Sequence, residues 1–122
     1  MALVLRLEKR RMPDPAKSYF EQAEAGQIVL FIPAMVLAEV GYLSERNRID
    51  CTLRDVANYI ATHETIQVYP LDLSVNQTAF LINDIPELHD RLIAATAAHL
   101  DVPLITNDPK IEESKALKTV WR

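Results

Sequence analysis

Glycine is nearly missing from this chain, at two residues in 122. No glycine-rich phosphate loop can be built from so few, which argues against a kinase or a nucleotide-cofactor enzyme. A single cysteine, Cys51, excludes an intramolecular disulfide and supplies no zinc ligand set. The cytoplasm is therefore the expected compartment. No apolar run approaches the length of a membrane span, so no membrane partner is expected. The opening MALVLRLEKRRMP carries its charges after its apolar residues and lacks a small-residue cleavage site, unlike a secretory signal. Repeats, low-complexity tracts and linkers are absent too. Nor is there an excess of positive charge: 13 Lys and Arg face 17 Asp and Glu, a net charge of -4. That balance argues against a surface that coats nucleic acid generally. It leaves a nuclease open, because an acidic metal site adds negative charge that bound cations offset.

What is present suits one domain, residues 1–122, with 49% hydrophobic residues to form its core. Residues 1–12 read two ways. Leu3, Leu5 and Leu7 alternate as in a half-buried strand, yet Leu3 and Leu7 are also spaced for a helix. The basic run Lys9-Arg10-Arg11 reads as a solvated helix end or as an RNA-backbone contact. Asp14-Pro15 opens a helix, striped by Ala16, Tyr19, Phe20 and Ala23 and closed by Gly26. Ile28–Ile32 reads as a buried strand, and Pro33 opens the helix AMVLAEVGYLSER. Thr52 and Asp55 resemble a capping box with Asp in place of Glu, and His63 reads as a favourable charge at that helix's end. Ile66–Tyr69 reads as a strand, 74–82 as a short helix, and Lys118–Trp121 as a last strand with Trp121 capping the core.

The stretch ELHDRLIAATAAHLDVPLITNDPKI, Glu87 to Ile111, is the most informative. Asp90 stands at the start of a helix whose Leu92, Ile93, Ala95, Thr96, Ala97 and Leu100 recur at threes and fours. Pro103–Thr106 is a short apolar run suited to a buried parallel strand, and Asn107-Asp108-Pro109 ends it. Residues 109–116 follow as a short helix or turn. From Ile28 onward the order is strand–helix–helix–strand–helix–helix–strand–helix–strand. Such alternation implies an α/β three-layer sandwich with a mainly parallel central sheet.

Asp108 falls just beyond the C-terminal end of a strand, the edge where open parallel sheets bind ligands. Asp90 belongs on the same side, since its helix must run back before the strand runs forward. Glu39 lies on an apolar stripe with Val36, Val40 and Leu43. A carboxylate there must be paired, hydrated or bound to a cation, and reaching an arginine or solvent at the stripe's edge would serve as well. Three converging carboxylates repel one another unless a cation joins them. Mg²⁺ or Mn²⁺ suits an all-oxygen set and would polarise a phosphodiester and activate water. No Ser–His–Asp or Cys–His pattern competes. His89 reads as a surface residue or a support for Asp90.

Three segments carry a family resemblance. PAMVLAEVGYL, with Glu39, IPELHDRLIAATA, with Asp90, and PLITNDPKI, with Thr106 and Asp108, resemble in order the second, third and fourth acidic motifs of the PIN-domain ribonucleases, specifically the VapC-type toxins of toxin–antitoxin pairs. The final KTVW strand also agrees. The resemblance implies a five-stranded parallel sheet between helices. It implies Mg²⁺- or Mn²⁺-dependent hydrolysis of RNA, with tRNA and rRNA among the family's targets. Glu39 and Asp90 would hold the metal directly or through water, Asp108 would complete the acidic cluster, and Thr106 would support it. An antitoxin would be the inhibitory partner, and a homodimer the expected assembly.

The pattern departs at the beginning. The family starts with a strand ending in an aspartate, usually Asp-Thr or Asp-Ser, followed at once by a helix. Here Met-Ala-Leu-Val-Leu-Arg-Leu-Glu-Lys reads like the residues just after that pair, and no acid in residues 1–7 replaces it. The expectation is a chain that begins late, lacking the first and central strand. Residues 2–7 would then either fill the gap as a strand, placing Arg6 in an apolar layer, or leave it to exchange with a second chain. Two further readings stand beside the ribonuclease. One is a catalytically impaired PIN-like protein-interaction module. The other is a receiver-like or phosphoryl-transfer domain with an acidic Mg²⁺ pocket, which lacks the expected acids on an early strand.

Overall fold

The structure is a computed structural model and describes residues 1–122. Residues 2–7 resolve their ambiguity as a helix, α1 (Ala2–Leu7), which buries Leu3 and Val4. As a helix it also brings the Arg6 guanidinium onto Glu24 of α2 (Asp14–Glu24), with nitrogen–oxygen distances of 2.8 and 2.5 Å. A strand would have carried that charge into the sheet instead.

From there the chain follows the expected order. The remaining elements are β1 (Leu30–Pro33), α3 (Ala34–Glu45), α4 (Leu53–Ala61), β2 (Ile66–Tyr69), α5 (Leu73–Ala79), α6 (Leu88–Leu100), β3 (Leu104–Ile105), α7 (Pro109–Glu112) and β4 (Thr119–Val120). Thr52 and Asp55 form the reciprocal capping box of α4. The His63 ring lies 2.8 Å from the carbonyl oxygen of Tyr59 at the end of that helix.

The shortage of glycine shows at the helix ends. Four helices close with paired reverse bonds to the last turn, the Schellman arrangement. In α2 the Gly26 and Gln27 amides donate to Ala23 and Gln22, and Gly26 takes φ +78°. After α1, α3 and α6 the same left-handed position is held by Lys9, Asn47 and Asp101, at φ 54–56°. Non-glycine residues tolerate that conformation at a cost.

The sheet differs from the expectation of five adjoining strands. β1 pairs in parallel with β2, Leu30 opposite Ile66, and β3 pairs in parallel with β4, Leu104 opposite Thr119. These are two separate two-stranded sheets, and no strand bridges β1 to β3. The core is split in the same way. One cluster holds Leu3, Phe20, Ile32, Val40, Val56 and Ile66, with Trp121 packed against it. The other holds Val75, Ile82, Ile85, Leu92, Ala95 and Ile111.

Candidate active site

Glu39 reaches the site from the second turn of α3, which starts immediately after β1. It is half-buried and has neither an ion-pair nor a hydrogen-bond partner, so no arginine satisfies it. Burial raises its carboxyl pKa above the ordinary value, and the nearby charge of Asp90 pushes it the same way.

Asp90 lies in the first turn of α6. The helix N-terminus is capped by Glu87, whose Oε2 accepts the Asp90 amide at 2.7 Å. Burial raises the Asp90 pKa as well, followed by repulsion from Glu87 and Asp108. Asp108 follows β3 and caps α7, its Oδ1 accepting the Lys110 amide at 2.9 Å. The Asp108 amide in turn donates to Thr106 Oγ1 at 3.1 Å.

All four residues line one cavity of about 510 Å³ between β1 and β3. Glu39, Asp90, Thr106 and Asp108 therefore share one end of the molecule, beyond the C-terminal ends of both strands. His89 is exposed and turned to Glu87 at 2.8 Å, at the surface. The basic residues Lys9, Arg10 and Arg11 line a different, shallow depression with Arg6 and Lys17.

Two participants had no assigned role in the sequence. Asn107 lines the cavity. Glu87 contributes negative charge to both Glu39 and Asp90 while capping α6. A Glu three residues before an acid at a helix entry was the available signal, but capping by Glu is uncommon enough to be passed over.

The donor set is all oxygen, matching the preference of Mg²⁺ and Mn²⁺. Glu39 and Asp90 fit a cation that keeps most of its water, because Mg²⁺ is commonly held by one or two carboxylates. They do not make a closed cage: no three carboxylate, imidazole or thiol groups stand close enough together to hold an ion. No helix is long and apolar enough to cross a membrane.

Comparison with known proteins accords with this arrangement. The model of the PIN domain matches residues 3–116. Two solved structures share the fold. VapBC2 from Rickettsia felis, bound to a DNA fragment from its promoter, superposes with a TM-score of 0.70 at 19% identity, covering 99% of this chain and 94% of its own. DNA-bound VapBC from Salmonella typhimurium gives 0.61 at 17% identity, covering 88% and 84%. No curated protein matches in sequence.

Proposed function

The chain belongs to the PIN-domain family, and from that premise we propose that it is a Mg²⁺- or Mn²⁺-dependent endoribonuclease, the toxin of a toxin–antitoxin pair. The observation that carries the proposal is the mutual repulsion of two half-buried carboxylates, Glu39 and Asp90, from separate helices in one cavity. Placing unpaired acids together costs stability, and a divalent cation offsets that cost. When bound, such an ion supplies charge neutralisation of a phosphodiester and activation of water.

The chain's own groups do the rest. Glu39 and Asp90 hold the ion, Asp108 adds negative charge beside Asp90, and Thr106 fixes the backbone of Asp108. RNA is the proposed substrate. An antitoxin is the proposed partner, by analogy with the two VapBC structures, and a homodimer the proposed assembly. Exposed Leu73, Phe80 and Leu81 offer apolar area for protein contacts.

The test is Mn²⁺-dependent cleavage of RNA. Asp90→Asn should lower the rate by at least about a hundredfold, the upper range for disturbing a metal site's support. Cleavage that survives the substitution would come from a contaminant. A second reading, a PIN-like interaction module with weakened catalysis, is favoured by the lack of a three-ligand cluster. It predicts antitoxin binding with no metal-dependent cleavage.

A further inference from the structure

The cavity at the acidic end continues as a slot between the two half-sheets. Its walls run along Ile28–Pro33 on one side and Val102–Thr106 on the other, and α2 and α6 contribute Phe20, Ile93 and Ala97. Most of these side chains are apolar, and water is a poor occupant for such a lining.

Both walls also present unused backbone. Leu30 donates to Thr65 in the β2 direction, and Leu104 and Thr106 donate to Lys118 and Val120 in the β4 direction. Alternate residues of a parallel strand bond to opposite sides, so Phe31 and Ile105 face the slot with no strand to pair with. Interior strand residues are also left open. Phe31 is 36% exposed and Val29 49%. An apolar channel flanked by two unpaired, codirectional strand edges matches one kind of guest, an extended polypeptide that bonds to both.

The position of Met1 fixes which polypeptide and which direction. Met1, Ala2 and Leu3 line the slot. The Met1 nitrogen lies close enough to Glu39 to act on its carboxylate, which puts it at the acidic end. Polypeptide leading into Met1 along the slot would therefore run toward that end, the way β1 and β3 run. It would reach β1 through α1 and α2, the helical crossover that neighbouring parallel strands require.

We infer that the slot between β1 and β3 is the seat of a β-strand formed by polypeptide joined ahead of Met1, which pairs in parallel with Phe31 and Ile105 and merges the two half-sheets into one. This inference stands whether or not the protein cuts RNA.

The probe is an N-terminal extension of five valine and isoleucine residues with a two-residue polar link to Met1. The control replaces alternate residues of the extension with proline, which keeps it apolar but removes donors from the ladder. It should leave the fold as it is. Hydrogen exchange is read at the Phe31 and Ile105 amides, with Leu30 and Leu104 as internal references. The expected result is slowing of the Phe31 and Ile105 amides by at least about a hundredfold in the extended protein, with a rise in Tm of at least about 5 °C. The proline control should show neither. Equal exchange in both proteins would overturn the inference. So would protection by the same five residues added as a free peptide but not by the tethered form, which would assign the slot to a strand in trans. Protection of the unextended chain only at concentrations where sedimentation shows a dimer would assign it to a second copy, and would equally overturn it.

Discussion

Arg6 and Glu24 form the strongest charged contact in the molecule, two nitrogen–oxygen approaches between side chains about one-fifth exposed. Tyr59 donates to the same carboxylate at 2.5 Å. The Arg6 guanidinium holds the Glu24 pKa below the ordinary carboxylate value, with help from Tyr59 and against the effect of burial. A carboxyl depressed in the folded state stabilises the fold above its unfolded pKa, near 4.3, and loses that contribution as pH falls through the folded value. Tm should therefore decline on acidification below about pH 5, and Glu24→Gln should make that decline shallower. Glu8 and Asp84, also depressed by backbone amides of Cys51 and Lys115, keep part of the acid dependence in the variant. At neutral pH, Glu24→Gln should lose roughly 1.5–3 kcal/mol, the contribution of hydrogen bonds to charged partners. Urea titration at two pH values measures both effects. Neither Arg6 nor Glu24 stood out in the sequence, because their contact spans 18 residues and depends on α1 being helical. Glu39 and Asp90 did stand out, the first as a charge on an apolar stripe and both through motif order. Their mutual effect was visible only with the two helices in place.

At the scale of elements, the sequence announces starts better than stops. Pro33, the Asp14-Pro15 pair and the Thr52–Asp55 box each mark an entry through local chemistry, and each entry lies within a residue of its expected place. Gly26 was the only stop with a plain signal. Lys9, Asn47 and Asp101 do the same work with residues of many other uses, so these ends were not separable from ordinary loop positions. Glycine relieves the steric cost of the left-handed conformation. Asp101→Gly should raise stability by up to about 1 kcal/mol, with little change at the equivalent left-handed Gly26→Ala position except loss. In the other direction, Thr52→Ala removes one half of the α4 cap and should cost about 1 kcal/mol. Denaturant midpoints at constant m-value read all three.

At the scale of the molecule, the strand and helix order was legible from period and punctuation, and the pairing was not. Nothing in LFIP or PLIT states which neighbour each strand takes, since pairing depends on segments far along the chain. The result is two apolar clusters rather than one. Ile66 anchors the first and Ile85 the second, and both are almost fully buried. Ile66→Val and Ile85→Val should each cost about 0.5–1.5 kcal/mol. Because the two share no cluster, the double variant should equal the sum to within about 0.5 kcal/mol. A coupling well above that would mean that the clusters respond as a single core.

Asp108 has two oxygens with separate duties. Oδ1 is committed to the Lys110 amide and so to starting α7, while its companion carries no hydrogen bond and the carboxylate as a whole bears on Asp90. Asparagine retains the first oxygen and discards the charge; alanine discards both. The chain thus contains a way to tell anchoring from electrostatics at one position. Any loss of RNA cleavage common to Asp108→Asn and Asp108→Ala belongs to the charge, and whatever alanine loses beyond asparagine belongs to the turn that charge is mounted on.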